Sequence, residues 1–306
     1  MFLFMFGTTN SQPSPNGTGF GIFSGGFGSS GGTTYSDKYN YTNNVRAVGT
    51  VLNTAKYNSA GAGNYSIGLI TGGKLGVNNA SSAITEIYTY SNNSYSGGTS
   101  LSVARFSLMG CGTSTVGLFT GGYEALISAR SELYTYSNNT ISPATSLISS
   151  RQTGAAVGNS IIGVIGIGSI STGITPTSNI YTYSNNTTVA GTDLTYSGLM
   201  ISSAGNDVVG LFAGTYSGGI YYNYTSIYNY NANTTATSNT LRVVKGYAGG
   251  TGNNVVGIIA GGSNSISGII GSTDKYTYSN NTDVAGTSLG MARQSPVGNS
   301  SLPGGF

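Results

Sequence analysis

The sequence has 306 residues, of which only 6% are charged, and it carries a formal net charge of +3 from 11 basic and 8 acidic side chains. Soluble domains usually contain about 25% charged residues, so solubility here must come from Ser, Thr, Asn and backbone amides. The sparse basic residues exclude the clustered Lys and Arg of a nucleic-acid interface. The 50 glycines follow no Gly-x-y period, which excludes collagen.

The composition also removes much of the side-chain chemistry on which enzymes depend. No histidine is present, which excludes imidazole bases, histidine triads and the usual zinc and copper ligand sets. The glycine pairs precede neither Lys-Ser/Thr nor a helix, so they are not phosphate loops. Cys111 lies in an alternating apolar stretch and is expected to be a small buried side chain rather than a reactive thiol. We expect a protein that is not an enzyme and has no metal or cofactor, with a carboxylate-dyad hydrolase as the disfavoured alternative.

The chain opens with an apolar segment, Met1–Phe6. This segment lacks a basic n-region, a full apolar h-region and a small-residue cleavage site, so it makes a poor signal peptide. No later run approaches the length of a membrane-spanning helix. We interpret residues 1–18 as an apolar N-terminal segment that forms an extra strand on its own domain or docks elsewhere.

From residue 19 onward, one pattern occurs six times. Each repeat has an apolar run ending in or near Gly-Gly, a loop, a motif close to Tyr-x-Tyr-Ser-Asn-Asn, and a stretch that ends at a leucine. The first tyrosines of the six motifs are 46 to 49 residues apart, at Tyr39, Tyr88, Tyr134, Tyr181, Tyr228 and Tyr276. A period of this length indicates one supersecondary unit that is repeated along the chain.

The third repeat shows how one unit is built. Residues 102–112 alternate loosely and predict a first strand, and Val116–Gly122 is a short apolar run that predicts a buried second strand. Glu132–Tyr136 alternates with period two and predicts a third strand. Ser-Asn-Asn at 137–139 then supplies a hairpin turn into a more polar fourth strand over 140–147. Four antiparallel strands and no helix describe the blade of a propeller.

A strand ending in Gly-Gly, a loop, a tyrosine-bearing strand and a basic residue shortly after a leucine together resemble the kelch repeat. The resemblance covers nearly the whole chain, although the tryptophan that kelch units usually carry on the fourth strand is absent. It implies a β-propeller, usually closed by pairing a strand from one terminus with strands from the other. The copper chemistry of a kelch-like oxidase is not implied, because that site needs histidine.

We therefore predict an all-β fold, a six-bladed kelch-like β-propeller with four antiparallel strands per blade, closed by a C-terminal strand. The propeller spans residues 19–301, and residues 302–306 are a tail. The predicted blades are residues 19–52 with 291–301, 53–101, 102–147, 148–194, 195–241 and 242–290.

The charged residues follow the repeat. Five bases stand four positions after the leucine that ends a fourth strand, and four acids stand two positions before the first tyrosine. Within the predicted blades they form the pairs Lys56 with Glu86, Arg105 with Glu132, Lys245 with Asp274, and Arg293 with Asp37. The blade with Gly198 instead of the base also has Ser226 instead of the acid, and structural ion pairs predict this joint loss because one unpaired buried charge is costly. The alternative is a cationic ring that holds an anion at the axial channel. Arg151, which faces Asn179 instead of an acid, is the best single candidate for a ligand contact.

The loops between the second and third strands vary, whereas the Ser-Asn-Asn turns are nearly constant. These loops share a face with the connections between blades, and binding residues usually lie in loops on a rigid scaffold. The most distinctive loop contains Tyr216, Tyr221, Tyr222 and Tyr224. Exposed aromatic rings next to amides suit sugar or protein surfaces, so these tyrosines are predicted to bind a ligand. The alternative is packing inside the loop against a tyrosine-rich background.

Three functional hypotheses follow. The first is a non-enzymatic structural or adhesive surface protein, such as a phage fibre, tail or decoration component of a virion, whose partners are other structural proteins or a cell-surface protein or glycan. It is based on the low-charge surface, the near-identical repeats and a resemblance in composition to phage surface proteins. The second is a cytoplasmic kelch-type protein-interaction adaptor, and the third is a carbohydrate-binding module. The expected location is a virion or the extracellular surface.

Overall fold

The computed structural model describes residues 19–301, so the expectations for residues 1–18 and 302–306 lie outside the described part of the chain. All regular elements of residues 19–301 are strands, which confirms the all-β prediction. This part of the chain accordingly has no helix that is long and apolar enough to cross a membrane.

The strands follow the six repeats. The first repeat has β1 (Phe20–Ser24), β2 (Phe27–Gly28), β3 (Gly31–Gly32), β4 (Ser36–Asn40) and β5 (Val45–Val48). The second has β6 (Lys56–Tyr57), β7 (Ala60–Gly63), β8 (Ile67–Thr71), β9 (Lys74–Leu75), β10 (Thr85–Thr89) and β11 (Ser94–Gly98). The third has β12 (Met109–Gly112), β13 (Val116–Thr120), β14 (Ser131–Thr135) and β15 (Thr140–Ala144).

The second half of the chain continues the pattern. The fourth repeat has β16 (Ala155–Gly158), β17 (Ile162–Gly166), β18 (Ser169–Ile170), β19 (Gly173–Ile174), β20 (Ser178–Thr182) and β21 (Thr187–Gly191). The fifth has β22 (Ser202–Gly205), β23 (Val209–Ser217), β24 (Ile220–Asn229) and β25 (Thr234–Thr237). The sixth has β26 (Gly249–Gly252), β27 (Val256–Ala260), β28 (Ser263–Asn264), β29 (Gly268–Ile269), β30 (Thr273–Thr277) and β31 (Thr282–Gly286), followed by β32 (Val297–Ser300).

These strands form six antiparallel four-stranded sheets, which are the blades of a β-propeller. The first blade has the order β32-β1-β4-β5, because β32 pairs with β1 in a register that joins Gly21 to Ser300 and Ser24 to Val297. The six-bladed propeller closed by a C-terminal strand is therefore confirmed. We number the blades from 1 to 6 in the order in which their second strands occur along the chain, namely β1, β8, β13, β17, β23 and β27.

The first strands are shorter than predicted. In blade 3 the first strand covers only Met109–Gly112, and the preceding residues 102–107 form the connection from blade 2. This connection is stabilised by bonds to side chains, since the backbone N–H of Ser102 donates to Glu132 at 2.8 Å. Loose alternation in 102–112 therefore reflected a turn followed by a strand rather than one long strand.

The innermost strands approach each other backbone to backbone around the axis. Their second positions hold only Gly, Ala or Ser, namely Gly61, Gly110, Ala156, Ser203, Gly250 and Gly298. A methyl group on Gly61 would lie 2.7 Å from the carbonyl oxygen of Gly298, so a larger residue has no room. The axis is consequently packed with backbone and small side chains.

Each paired tyrosine has a fixed place in the core. Tyr134, the first of its pair, is fully buried and packs with Leu69 and Leu101 of the preceding blade. The second tyrosine lies over the first glycine of the second strand, as with Tyr90, whose hydroxyl would be 2.8 Å from a methyl group on Gly68. The rings fill the wedges between blades, and the glycines make room for them.

Candidate functional site

The structure places the four base–acid pairs in contact inside the blades. Every side chain in them is 3% exposed or less. The nitrogen–oxygen distances are 3.8 Å for Lys56–Glu86 and 2.7 Å for Arg105–Glu132, Lys245–Asp274 and Arg293–Asp37. The bases also donate to backbone carbonyls, for example from Arg105 to Phe119 at 3.2 Å. These charges therefore stabilise the blades from within.

The position two residues before the first tyrosine of each repeat, which we call the acid position, has a second role that the charge pattern did not reveal. Its side chain accepts a hydrogen bond from the backbone N–H that follows the leucine of the preceding blade, as at Asn53, whose N–H donates to Glu86 at 2.7 Å. The bond persists where the acid is lost, because Ile148 donates to Asn179 at 2.9 Å and Thr195 to the Ser226 hydroxyl at 3.4 Å. The sequence carries a signal for this hydrogen bond, because the acid position holds a side chain that can accept one in all six repeats.

Arg151 is fully buried in blade 4. Its guanidinium donates to the carbonyl of Ile167 at 2.6 Å and to the Thr177 hydroxyl at 2.8 Å. Burial lowers the pKa of Arg151 to about 10, against a smaller opposite effect of Asp193. The side chain is thus held by neutral groups of its own blade and does not reach the surface where a ligand would bind.

Blade 5 has no ion pair, and a threonine side chain fills the space instead. Thr215 stands where each of the other blades has a glycine, such as Gly122 in blade 3, and its hydroxyl donates to the carbonyl of Leu199 at 3.1 Å. A methyl group on Gly198 would overlap this hydroxyl, so Thr215 occupies the space that a basic side chain fills elsewhere. The strands also continue past a bulge at Gly214 into a long hairpin, β23–β24.

The residues just before the innermost strands form a ring around the axis, which we call the axial ring. Its members are Asn58, Ser107, Thr153, Met200, Tyr247 and Ser295, and all have φ between 51° and 59°. Each N–H from Ser107 onward donates to the carbonyl of the preceding member, at 2.5 to 3.0 Å. A left-handed backbone is unusual for Thr, Met and Tyr and costs about 1–3 kcal/mol per residue, so the surrounding structure must enforce it.

The axial ring surrounds a pocket of about 90 Å³ at the mouth of the propeller, the axial pocket. Each blade contributes its ring residue and the next residue, for example Met200 and Ile201 from blade 5. The pocket opens on the face that carries the second-to-third-strand loops, because Ser59 beside the ring bonds to the carbonyl of Gly72 at the end of β8. We call this the loop face.

The predicted tyrosines divide into two groups on the β23–β24 hairpin. Tyr216 and Tyr221 have ring centroids 4.9 Å apart, and both lie close to Tyr247 of the axial ring, at 6.1 and 6.4 Å. Tyr222 and Tyr224 stack on each other at 4.9 Å, and the latter is 45% exposed. The first group therefore forms a wall beside the axial pocket, whereas the second group packs against Tyr196 at 5.8 Å between ring centroids.

Other half-buried aromatic residues continue around the loop face. Phe27 contacts Tyr57 at 5.0 Å between ring centroids, Phe106 contacts Tyr123 at 5.3 Å, and the Lys74 ammonium lies 4.3 Å from the Phe106 ring. The aromatic band of the loop face consists of Phe27, Tyr57, Phe106, Tyr123, Tyr216, Tyr221 and Tyr247. Such rings combine apolar area with polar tips, which suits recognition surfaces.

The thiol and the remaining carboxylates give little that could act on a substrate. Cys111 is fully buried, and burial raises the pKa of its thiol to about 12. Asp274 and Asp283 lie together in blade 6, where burial and the second carboxylate raise the pKa of Asp283 to about 7. Within residues 19–301 no group of three or more His, Cys, Asp or Glu side chains could hold a metal ion.

Comparison with protein-family models found no match, and comparison with curated proteins found no significant similarity. The kelch resemblance therefore remains a prediction. A six-bladed β-propeller suggests a protein-interaction or binding role, and the residues of the site have to specify it.

Proposed function

We propose that this chain is a non-enzymatic binding protein that contacts its partner through the loop face. The observation that carries the proposal is the aromatic band beside the axial pocket. Half-buried rings such as Phe106 and Tyr57 give a partner apolar contact area without a large loss of side-chain freedom, because they are already held by their neighbours.

The distribution of charge supports binding rather than catalysis. The buried bases and acids of the blades are engaged in ion pairs and backbone contacts, and the residues that line the axial pocket are all uncharged. General acid–base catalysis works best with a group whose pKa lies near the operating pH, and burial raises the pKa of Tyr247, the one titratable group in the lining, away from that range. The neutral lining instead suits recognition of an uncharged partner.

We further propose a structural or adhesive role at a surface, with a virus or phage particle as the leading setting. The turns between third and fourth strands hold neighbouring blades together, since the N–H of Thr99 donates to the Asn139 side chain at 2.9 Å and that of Thr145 to Asn186 at 2.8 Å. Hydroxyl and amide groups make these contacts without charges, and such hydrogen bonds are less sensitive to salt than surface ion pairs. A rigid, weakly charged ring is well suited to an exposed assembly.

The loop-face proposal is tested by site-specific photo-crosslinking. A photoreactive phenylalanine analogue replaces Tyr57 or Tyr123 in the aromatic band, and the exposed turn residue Asn138 on the opposite side serves as the matched control. We expect covalent adducts with a partner from the source material at the loop-face positions and few at Asn138. Equal labelling at all three positions would contradict the proposal.

The location is tested separately by fractionating the source material and probing with an antibody to the chain. We expect the protein in purified particles or at the cell surface. Recovery in the cytosol alone, with no particle-associated fraction, would rule out the surface role and favour an intracellular adaptor.

A further inference from the structure

We propose that the axial pocket binds the ring of a neutral sugar. This inference deepens the proposed function and depends on it, because it assigns a ligand class to the centre of the loop face. It is carried by three independent features of the pocket: the two chemically different sides of the axial ring, the absence of charge in the lining, and the available volume.

One side of the axial ring, made of four of its six members, is polar. Going around the axis, Ser295, Asn58, Ser107 and Thr153 are consecutive and supply three hydroxyl groups and one amide. The backbone N–H and C=O groups of the ring are largely paired with each other, so the side chains are what remains for a ligand. Within residues 19–301 no hydrogen bond engages the side chains of Asn58, Ser107 or Ser295, and each can both donate and accept.

The other side is apolar and aromatic. Met200 and Tyr247 are the two remaining ring members, and Tyr216 and Tyr221 pack against the Tyr247 ring. A pyranose has hydroxyl groups around its edge and C–H groups on its faces. A bound pyranose could direct its hydroxyl groups to the polar side and place a C–H face on Tyr247, which would match both sides of the pocket.

The lining contains no Lys, Arg, Asp or Glu. The base two positions before each ring member, where one is present, is directed into its own blade, as Lys56 is toward Glu86. A charged sugar would thus lose hydration at the pocket without gaining an opposite charge, which disfavours it relative to a neutral one. The volume of about 90 Å³ corresponds to several water molecules, at about 10–15 Å³ each, which the hydroxyls of a ring inserted edge-on could replace.

The test is saturation-transfer NMR and calorimetry with glucose, galactose and N-acetylglucosamine, and with glucosamine and glucuronate as charged comparisons. We expect saturable binding of at least one neutral sugar and weaker binding of the charged ones. Asn58→Asp keeps the size of the side chain and its tolerance of the left-handed backbone but removes the amide donor, and Tyr247→Ala removes the aromatic surface. Each is expected to weaken binding by about tenfold.

The matched control is Tyr65→Ala, which removes a 49% exposed tyrosine from a turn between β7 and β8, at the far end of these strands. It should leave sugar binding unchanged. Absence of saturable binding up to about 10 mM, equal binding of charged sugars, or an equal loss with Tyr65→Ala would each overturn the inference. Loop-face crosslinks that persist without sugar binding would leave the proposed function standing and overturn only the sugar assignment.

Discussion

At the scale of single residues, the acid position of each blade joins two structural tasks that can be separated. In blade 3, Glu132 pairs with buried Arg105 at 2.7 Å and accepts the N–H of Ser102 at 2.8 Å. In blade 5, Ser226 has only the second task. The chain therefore contains a natural comparison between a backbone acceptor with a buried base and one without.

Removing the acceptor side chain should lower the free energy of unfolding far more in blade 3 than in blade 5. Glu132→Ala leaves the Arg105 charge unpaired, and we expect the free energy of unfolding to fall by about 3–5 kcal/mol. Ser226→Ala loses one neutral hydrogen bond and should cost about 0.5–1.5 kcal/mol. Urea unfolding of both variants measures the difference, and similar losses would show that the ion pair adds nothing to the blade.

The stability of the folded protein should also depend on pH through two carboxylates of blade 6. The backbone N–H of Arg242 lies 2.8 Å from an Asp283 oxygen and 3.2 Å from an Asp274 oxygen, so two carboxylates share one site. Burial and Asp274 raise the pKa of Asp283 from 3.8 to about 7. Because the folded-state pKa lies above the ordinary value, the folded state binds this proton more tightly, and the stability it contributes is present below about pH 4 and is lost as the pH rises toward 7.

Asp283→Asn should remove this dependence, since the amide keeps an acceptor for Arg242 and has no charge to repel Asp274. We expect the variant to be more stable than the parent at pH 8 and not more stable at pH 4. Urea midpoints at the two pH values measure the effect, with the exposed Asp207→Asn as the control for loss of one carboxylate. A gain at pH 4 as large as at pH 8 would contradict the assignment.

At the scale of elements, the strands of the blades could be predicted from the sequence, whereas the axial ring could not. The paired tyrosines and glycines recur at fixed spacing, and burial of large rings against glycine imposes that spacing, so strand order and blade number could be inferred. The axial ring has no common residue type, since Asn58 and Met200 occupy equivalent places. What its members share is a backbone conformation and a position on the axis, and only the folded ring brings them together.

In blade 5, Thr215 fills the space that a basic side chain occupies in the other blades. The joint absence of base and acid was visible in the sequence, but the residue that fills the vacated space lies on another strand. Gly198→Ala should force a methyl group into the Thr215 hydroxyl and destabilise the protein by about 1–3 kcal/mol. In a Thr215→Gly background, the same substitution should cost clearly less, and a double-mutant cycle followed by thermal unfolding measures this coupling. Additive losses would show that the two residues do not compete for space.

At the scale of the whole molecule, closure of the ring depends on a few contacts between the two ends of the propeller. β32 supplies the innermost strand of blade 1, and Arg293 supplies the partner of buried Asp37 at 2.7 Å. On the outer side, the N–H of Thr287 in blade 6 donates to the Asn44 side chain in blade 1 at 3.2 Å. Without these contacts, an inner sheet edge would be unpaired, and the buried Asp37 carboxylate would lose its 2.7 Å partner and keep only the longer contact with Arg46 at 3.4 Å and the Gly290 N–H.

Truncation after residue 290 should therefore abolish cooperative folding, because it removes β32 and Arg293 together. The matched comparison is a circular permutant that joins residue 301 to residue 19 through a short turn and opens the chain at the exposed tip between Ile170 and Gly173. The N–H of Ser301 already donates to the carbonyl of Phe20 at 3.0 Å, so the new turn spans a short gap. We expect the permutant to fold as a monomer with an unfolding transition close to that of the parent, since every blade keeps four strands and exposed loop tips tolerate new termini. Circular dichroism and size-exclusion chromatography measure both outcomes. A truncated chain that unfolds as cooperatively as the parent would mean that the propeller does not need its closing strand.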